Sequence, residues 1–205
     1  MEWNILTAQN LAVIERKINQ KSLSFAQKEI IKRVIYTNAD FDYQSIITFV
    51  HEPLLSGAAA LSTRVPILVD NSIVQSGISP LLQETFLNPI YSLSDIAFSG
   101  SLSAKKSKVW QTVARHNPSG IYVIGDNFLL LLSLLDLIES KQIRPSLIIA
   151  TPPGFIGKEM LNKRLQECPI SQIRIDSSKG GISSAIAIFN SLVELAWIAK
   201  HQKLI

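Results

Sequence analysis

Between Tyr36 and Asp42 the chain reads "YTNADFD", which puts a phenol, a hydroxyl, an amide and two carboxylates on Tyr36, Thr37, Asn38, Asp40 and Asp42. Such groups donate and accept hydrogen bonds and, for the carboxylates, take up protons. They follow the apolar stripe Ile30, Ile31, Val34 and Ile35, whose spacing predicts a helix with Lys32 and Arg33 on its other side. Tyr36 therefore stands where a helix gives way to a polar turn. It is either an end-of-helix packing residue or a group that meets a ligand, and this segment alone leaves both readings open.

A second polar stretch, "SSKGGISS" from Ser177 to Ser184, places Lys179, Gly180, Gly181 and Ser183 at the start of an apolar helical pattern. Free N–H groups at a helix start and a lysine charge favour a phosphate or carboxylate, although an unliganded capping turn uses the same residues. Three shorter loops carry the remaining candidates: "DNS" (Asp70 to Ser72), "GDN" (Gly125 to Asn127) and "TPPGF" (Thr151 to Phe155). Asp126 and Asn127 suit helix capping as well as ligand contact. Gly154 and the proline pair before it are accounted for by turn chemistry.

Other chemistries are excluded by what the chain lacks. His51, His116 and His201 have no metal-ligand spacing, so no metal is expected. His116 and His201 fall near predicted helix C-termini, and His51 follows a predicted strand. The single cysteine, Cys168, rules out an intrachain disulfide and reads as a small buried residue closing a helix before Pro169. No phosphate-binding glycine loop, dinucleotide fingerprint or nucleophile elbow is present.

With 205 residues, 47% hydrophobic and 18% charged, the chain suits one α/β domain with a substantial core. A formal charge of +4 is mild, and its one local cluster, "SAKKSK" (Ser103 to Lys108), reads as a solvated helix start. Such a surface suits an acidic small molecule better than a nucleic acid. The run "FLLLLSLLDLI" is too short to span a bilayer and is interrupted by Ser133 and Asp136, and "MEWNILTAQN" shows no secretory pattern. The expectation is a soluble cytoplasmic protein with no membrane partner.

The elements that must position these residues follow from the hydrophobic pattern. Strands are predicted at Ser45 to Val50, Val65 to Asp70, Ser119 to Asp126, "PSLIIA" and "ISQIRID". Helices are predicted at "FAQKEIIKRVIY", "PLLSGAAALSTR", "SAKKSKVWQTVARH", "NFLLLLSLLDLIES", "FIGKEMLNKRLQE" and "ISSAIAIFNSLVELAWIAKH". Continuous apolar strands alternating with helices indicate a single α/β domain over residues 1–205, with a mostly parallel central sheet flanked by helices on both faces. Ligands of such sheets lie outside the carboxyl ends of the strands, where the polar loops fall.

At "RVIYTNADFDY" the chain resembles the precorrin-8X methylmutase family, which carries Arg-Val-Ile, a histidine, two hydroxyl or equivalent residues, then Ala-Asp-Phe-Asp and an aromatic. "PILVDNSIVQSGI", "PPGFIG" and "SSKGGISSAIAIFNSL" are similar to further family segments in the same order and spacing. The resemblance implies an isomerase of cobalamin biosynthesis that moves a methyl group from C11 to C12 of precorrin-8X or cobalt-precorrin-8. It implies no cofactor, and a homodimer that holds the tetrapyrrole near the subunit interface.

Tyr36 stands where the family has its histidine. A phenol, with a pKa of about 10, stays neutral where an imidazole at ~6.5 can carry charge, so Tyr36 would act as a hydrogen-bond donor. Arg33, Thr37 and Asn38 would line the same pocket. Asp70, Ser72, Gly125, Asp126, Gly154 and Phe155 would meet the macrocycle, and Lys179, Gly180, Gly181 and Ser183 would hold its carboxylates. "GDNFLLL" and "KEMLNK" depart from the family pattern. The alternative is a member that binds a tetrapyrrole or another acidic molecule without rearranging it.

Overall fold

The computed structural model describes residues 4–19, 22–92 and 103–202, with the side chains of 103–108 excepted. The lysine cluster of "SAKKSK" thus lies outside the described side chains. In chain order the elements are α1 (Ile5–Lys17), α2 (Phe25–Asn38), α3 (Tyr43–Ile46), β1 (Ile47–Val50), α4 (Pro53–Ser62), β2 (Ile67–Val69), α5 (Ser72–Glu84), β3 (Ile90–Ser92), α6 (Ser103–His116), β4 (Ile121–Ile124), α7 (Phe128–Glu139), β5 (Leu147–Ala150), α8 (Lys158–Glu167), β6 (Gln172–Ile175) and α9 (Ile182–Gln202).

The strands form one six-stranded sheet in the order β1-β6-β5-β4-β2-β3. All neighbours are parallel except β1, which runs antiparallel to β6 at one edge. The connection from β2 through α5 leads outward to β3, whereas β4 leads the other way to β5 and β6. The winding therefore reverses between β2 and β4, and a crevice opens at their carboxyl ends.

Alternation along the strands divides the core in two. Ile67, Val69, Ile121, Val123, Leu147, Ile149, Ile173 and Ile175 face α2, α4, α5 and α9. Leu68, Tyr122, Ile124, Ile148 and Ala150 face α6, α7 and α8. Both faces are covered, which is why these strands read as unbroken apolar runs. Helix α9 has the length and apolarity of a membrane span, but half of its apolar window is buried in the protein. Ala185, Ile188, Phe189 and Leu192 are among the residues it buries, so core packing accounts for its composition.

Three local differences separate structure from pattern. Residues 45–46 belong to α3, and the first strand starts at Ile47, because the chain turns once more after Asp42 before extending. Strand β3 is only three residues long and was not foreseen, nor were α1, α3 and α5. Gly77 and Pro80 make α5 look broken in sequence. Yet Gly77 lies under Ile186, where an added Cβ would come within 2.4 Å of the isoleucine, so it is a packing glycine inside a continuous helix.

Candidate active site at the carboxyl edge of the sheet

The reversal between β2 and β4 is closed by one side chain. Asp70, directly after β2, accepts the N–H groups of Gly125, Asp126 and Asn127 on Oδ2 at 3.0, 2.9 and 3.0 Å. It is 5% exposed, and its Oδ1 is buried with no partner among the described residues. Burial pushes this carboxyl above the ordinary range against the pull of the three N–H bonds, and the neighbouring Asp126 side chain adds to the rise. Asn71 caps α5 through Ile73 and Val74 and donates from Nδ2 to Asp126 Oδ1 at 3.1 Å. Asn127 caps α7 through the Leu130 N–H. The capping reading thus holds for Asn127, whereas Asp126 is an exposed carboxylate braced by Asn71. Ser72, the first residue of α5, is exposed at the same edge.

Next to this crevice, Thr151 ties three loops together. Its hydroxyl lies 3.2 Å from the Gly125 carbonyl and 3.1 Å from that of Gly181, and its carbonyl accepts the Gly181 N–H at 2.7 Å. Gly180 is obligatory here, because a Cβ would approach the Thr151 carbonyl to 2.3 Å on a backbone with φ +139. Gly154 donates its N–H to Ser178 at 3.0 Å and has open space beside it. Lys158 donates to the Pro152 carbonyl at 2.7 Å, and its burial lowers the amine's pKa. Asp176 is held by Thr48 at 2.8 Å and by Arg174 at 2.7 Å. A cavity of about 990 Å3 lies over this region, lined by Gly154, Phe155, Lys158, Lys163, Asp176 and Ser178 among others.

The end of α2 is fastened to the same edge. Asn38 donates to Ser184 Oγ at 3.2 Å and accepts from Ser183 Oγ at 2.9 Å, which joins it to the first turn of α9. Lys179 bridges to Asp40 at 2.5 Å and to Asp42 at 2.6 Å. The hydrogen bond to Lys179 holds the Asp40 carboxyl below its ordinary range, and the two acids raise the lysine in turn. Tyr36 lies one turn before these fastenings, 41% exposed, beside the exposed Thr37. Arg33, a turn earlier, is joined to Glu194 of α9 at 2.8 Å and sits in the α2–α9 seam.

The edge is also apolar where it meets solvent. Ile73 and Leu129, in the first turns of α5 and α7, and Phe155 and Ile156, from the loop after β5, are all exposed, the last two at 90% and 92%. Elsewhere the expectations hold: Cys168 is buried at the end of α8, and His116 and His201 bond carbonyls at the ends of α6 and α9. His51, with φ 55, is exposed beyond β1 at the opposite end of that antiparallel strand from Ile47.

The structure thus brings together Thr37, Asn38, Lys179, Gly180, Gly181 and Ser183 around the end of α2, and Asp70, Ser72, Gly125 and Asp126 around the crevice. Gly154 and Phe155 border the cavity. Sequence reasoning missed Asn71, Thr151, Lys158 and Asp176 as organisers of these loops. Asn71, Thr151 and Asp176 lie in or beside loops already singled out, but their partners Asp126, Gly125 and Thr48 lie far away in the chain, while Lys158 reaches back only to Pro152.

A family model for precorrin-8X methylmutase matches residues 6–195. A cobalt-precorrin-8 methylmutase of Synechocystis is 33% identical, over 92% of this chain and 94% of that protein. One of Methanocaldococcus jannaschii is 28% identical, over 89% and 87%. The crystal structure of a precorrin-8X methylmutase from Thermus thermophilus shares the fold with a TM-score of 0.83 at 22% identity, covering 95% of this chain and 96% of that one. The chain belongs to the precorrin-8X methylmutase family.

Proposed function

We propose that this isomerase, folded as one domain over residues 1–205, moves a methyl group from C11 to C12 of precorrin-8X or its cobalt form at the carboxyl edge of the sheet. The observation that carries the reading is the fastening of α2 to α9. Asn38 is bonded to Ser183 and Ser184, Lys179 is bonded to Asp40 and Asp42, and Tyr36, two residues before Asn38, is exposed, which supports its meeting a ligand. Tyr36 donates its O–H to a ring nitrogen, making the macrocycle a better electron sink as the methyl group migrates. Lys179 has three N–H groups and uses two on Asp40 and Asp42, so one is left for a substrate carboxylate. The Gly181 N–H is already given to Thr151 and the Ser183 hydroxyl to Asn38 Oδ1, which leaves the Gly180 N–H of that loop for the ligand role. Any metal in the reaction travels inside the substrate. The protein works as a homodimer that covers Phe155, Ile156, Leu129 and Ile73, since four exposed apolar side chains on one edge suit a partner surface.

The test is anaerobic incubation with precorrin-8X, followed by absorption. Conversion to the hydrogenobyrinic acid spectrum is expected, and Tyr36→Phe should lower kcat by roughly 10²-fold with an unchanged urea midpoint. A spectrum that shifts on binding but never converts assigns the chain to binding alone, and an undiminished rate in the phenylalanine variant removes Tyr36 from the chemistry.

A further inference from the structure

At the amino end of the sheet, away from all the loops described above, lies a cavity of about 500 Å3. Its walls are segments that lead into three neighbouring parallel strands: Pro118 before β4, Ile143 and Arg144 before β5, and Pro169 and Ile170 before β6. Strand β4, four residues and about 13 Å of extended chain, runs from this side to Gly125 at the other. The sheet itself therefore separates the cavity from the carboxyl edge.

The floor of the cavity is apolar. Ile138, Ile143 and Ile170 supply it, each less than a tenth exposed. Pro118 and Pro169 have no N–H to offer. The backbone donors beside them are already spent, since Arg144 gives its N–H to the Pro118 carbonyl and Gln142 to the Leu137 carbonyl, both at 2.9 Å. Such a floor accepts an apolar body and gives it no hydrogen bond.

The rim is cationic. Lys141 and Arg144 line the cavity, both are exposed, and neither side chain has an acid or any other hydrogen-bond partner among the described residues. No acid is among the lining residues. Asp136 and Glu139, at the end of α7, are both taken by Arg164 at 2.8 Å. Gln142, between the two cations, is held in place: its Oε1 accepts Arg115 Nε at 2.7 Å and its Nε2 donates to Ser140 Oγ at 2.8 Å.

Lys141 also occupies a costly backbone position. Its N–H goes to the Ile138 carbonyl while that of Gln142 goes to Leu137, the pairing that ends a helix on one left-handed residue. That residue is Lys141, with φ 59, where glycine is the easier choice. A helix end attracts a cation, but the last turn of α7 could hold one without the strain. Arg144 lies beyond the helix and gains nothing from its dipole. Two like charges without partners on one rim repel each other, and an anion between them removes the repulsion.

We infer that this cavity is a second ligand site, which takes a small organic acid with its apolar body on the three isoleucines and its carboxylate between Lys141 and Arg144. The guanidinium offers a paired set of donors and the ammonium a single charge, which together suit one carboxylate. With about half the volume of the 990 Å3 cavity at the carboxyl edge, the site has room for a body of one or two rings.

The probe is 2-naphthoate, with 2-naphthamide as its uncharged twin, titrated into the nitrogen-labelled full chain and followed by amide NMR. Saturable shifts should appear at Gly120, Lys141, Gln142 and Ile143, and the acid should bind about tenfold more tightly than the amide. Lys141→Gly and Arg144→Gln should each weaken the acid about three- to fivefold, and high salt should weaken it further. Lys141→Gly relaxes the backbone at that position, so its urea midpoint should not fall, which separates lost charge from lost structure. Equal affinity for acid and amide, an affinity unchanged in either variant, or no shift at the cavity residues up to millimolar probe would overturn the inference. None of these readouts involves turnover, so the proposed function stands or falls separately.

Discussion

The loop from Gly125 to Asn127 turns three N–H groups inward onto Asp70, whereas the loop from Thr151 to Gly157 turns its two largest apolar side chains, Phe155 and Ile156, outward into solvent. Both loops leave parallel neighbouring strands, β4 and β5, at the same edge. The first is closed around a buried carboxylate and its conformation is fixed from within. The second is anchored at Thr151, at Gly154 through the Ser178 carbonyl and at Lys158 through the Pro152 carbonyl, and presents Phe155 and Ile156 to whatever covers them. One loop sets chemical groups in place, and the other offers a surface.

This contrast breaks most visibly at Asp70. Asp70→Ala removes the acceptor of three backbone donors in a crevice with little water, and each stranded donor costs about 1–3 kcal/mol. The urea midpoint should report a loss of roughly 3 kcal/mol or more. A loss below ~1 kcal/mol would show that the loop after β4 holds its shape without the carboxylate.

Two glycines sharpen the comparison. Gly180 and Gly154 both have positive φ, but only Gly180 lies against backbone, with the Thr151 carbonyl 2.3 Å from an added Cβ. Gly180→Ala should cost roughly 2–3 kcal/mol, since it adds a collision to the backbone strain, and Gly154→Ala about 1 kcal/mol from strain alone. Equal losses would mean that the Thr151 hub yields as easily as the outer loop.

On the outer loop stability should barely respond. Phe155→Ser touches a side chain that is 90% exposed, so its effect on the urea midpoint should stay within about 0.5 kcal/mol. Its consequence should appear in sedimentation as a shift from dimer toward monomer. A dimer that persists unchanged would move the proposed subunit interface away from this loop.

How much of this was legible beforehand follows the same division. The sheet, its helices on both faces and the edge at which the polar loops gather were written in local patterns: apolar runs for buried strands, and glycine and Asx residues for the turns. Asn127 as a cap needed only its place before α7. Thr151 and Asp70 were different, since each gains its role from partners 26 to 57 residues away. No periodicity carries such pairings. Lys179 is the instructive case. Its charge before a glycine pair suggested an anion site, and the structure supplies anions from the protein itself, Asp40 and Asp42. Strand β3 escaped because three residues are too few to show an alternation.

The smallest effect belongs to the Lys179 clasp, which joins the α2–α3 turn to the loop after β6 where both meet solvent. The hydrogen bond to Lys179 makes the Asp40 carboxyl a weaker proton acceptor in the folded chain than in the unfolded one. As pH falls, the unfolded chain takes up this proton first, so the clasp's contribution is complete above the ordinary carboxylate range near ~3.9 and is lost as pH drops through the folded value. Lys179 itself is raised, so its own contribution is full at neutral pH and is lost only on the far alkaline side. The acid limb of stability should therefore be shallower in Lys179→Met than in the wild-type chain, and the difference between the two should shrink in high salt as the exposed pair is screened. An identical acid limb in both proteins would show that the clasp orients the end of α2 without stabilising it. The position of Tyr36 would then depend on the Asn38 bonds to Ser183 and Ser184 alone.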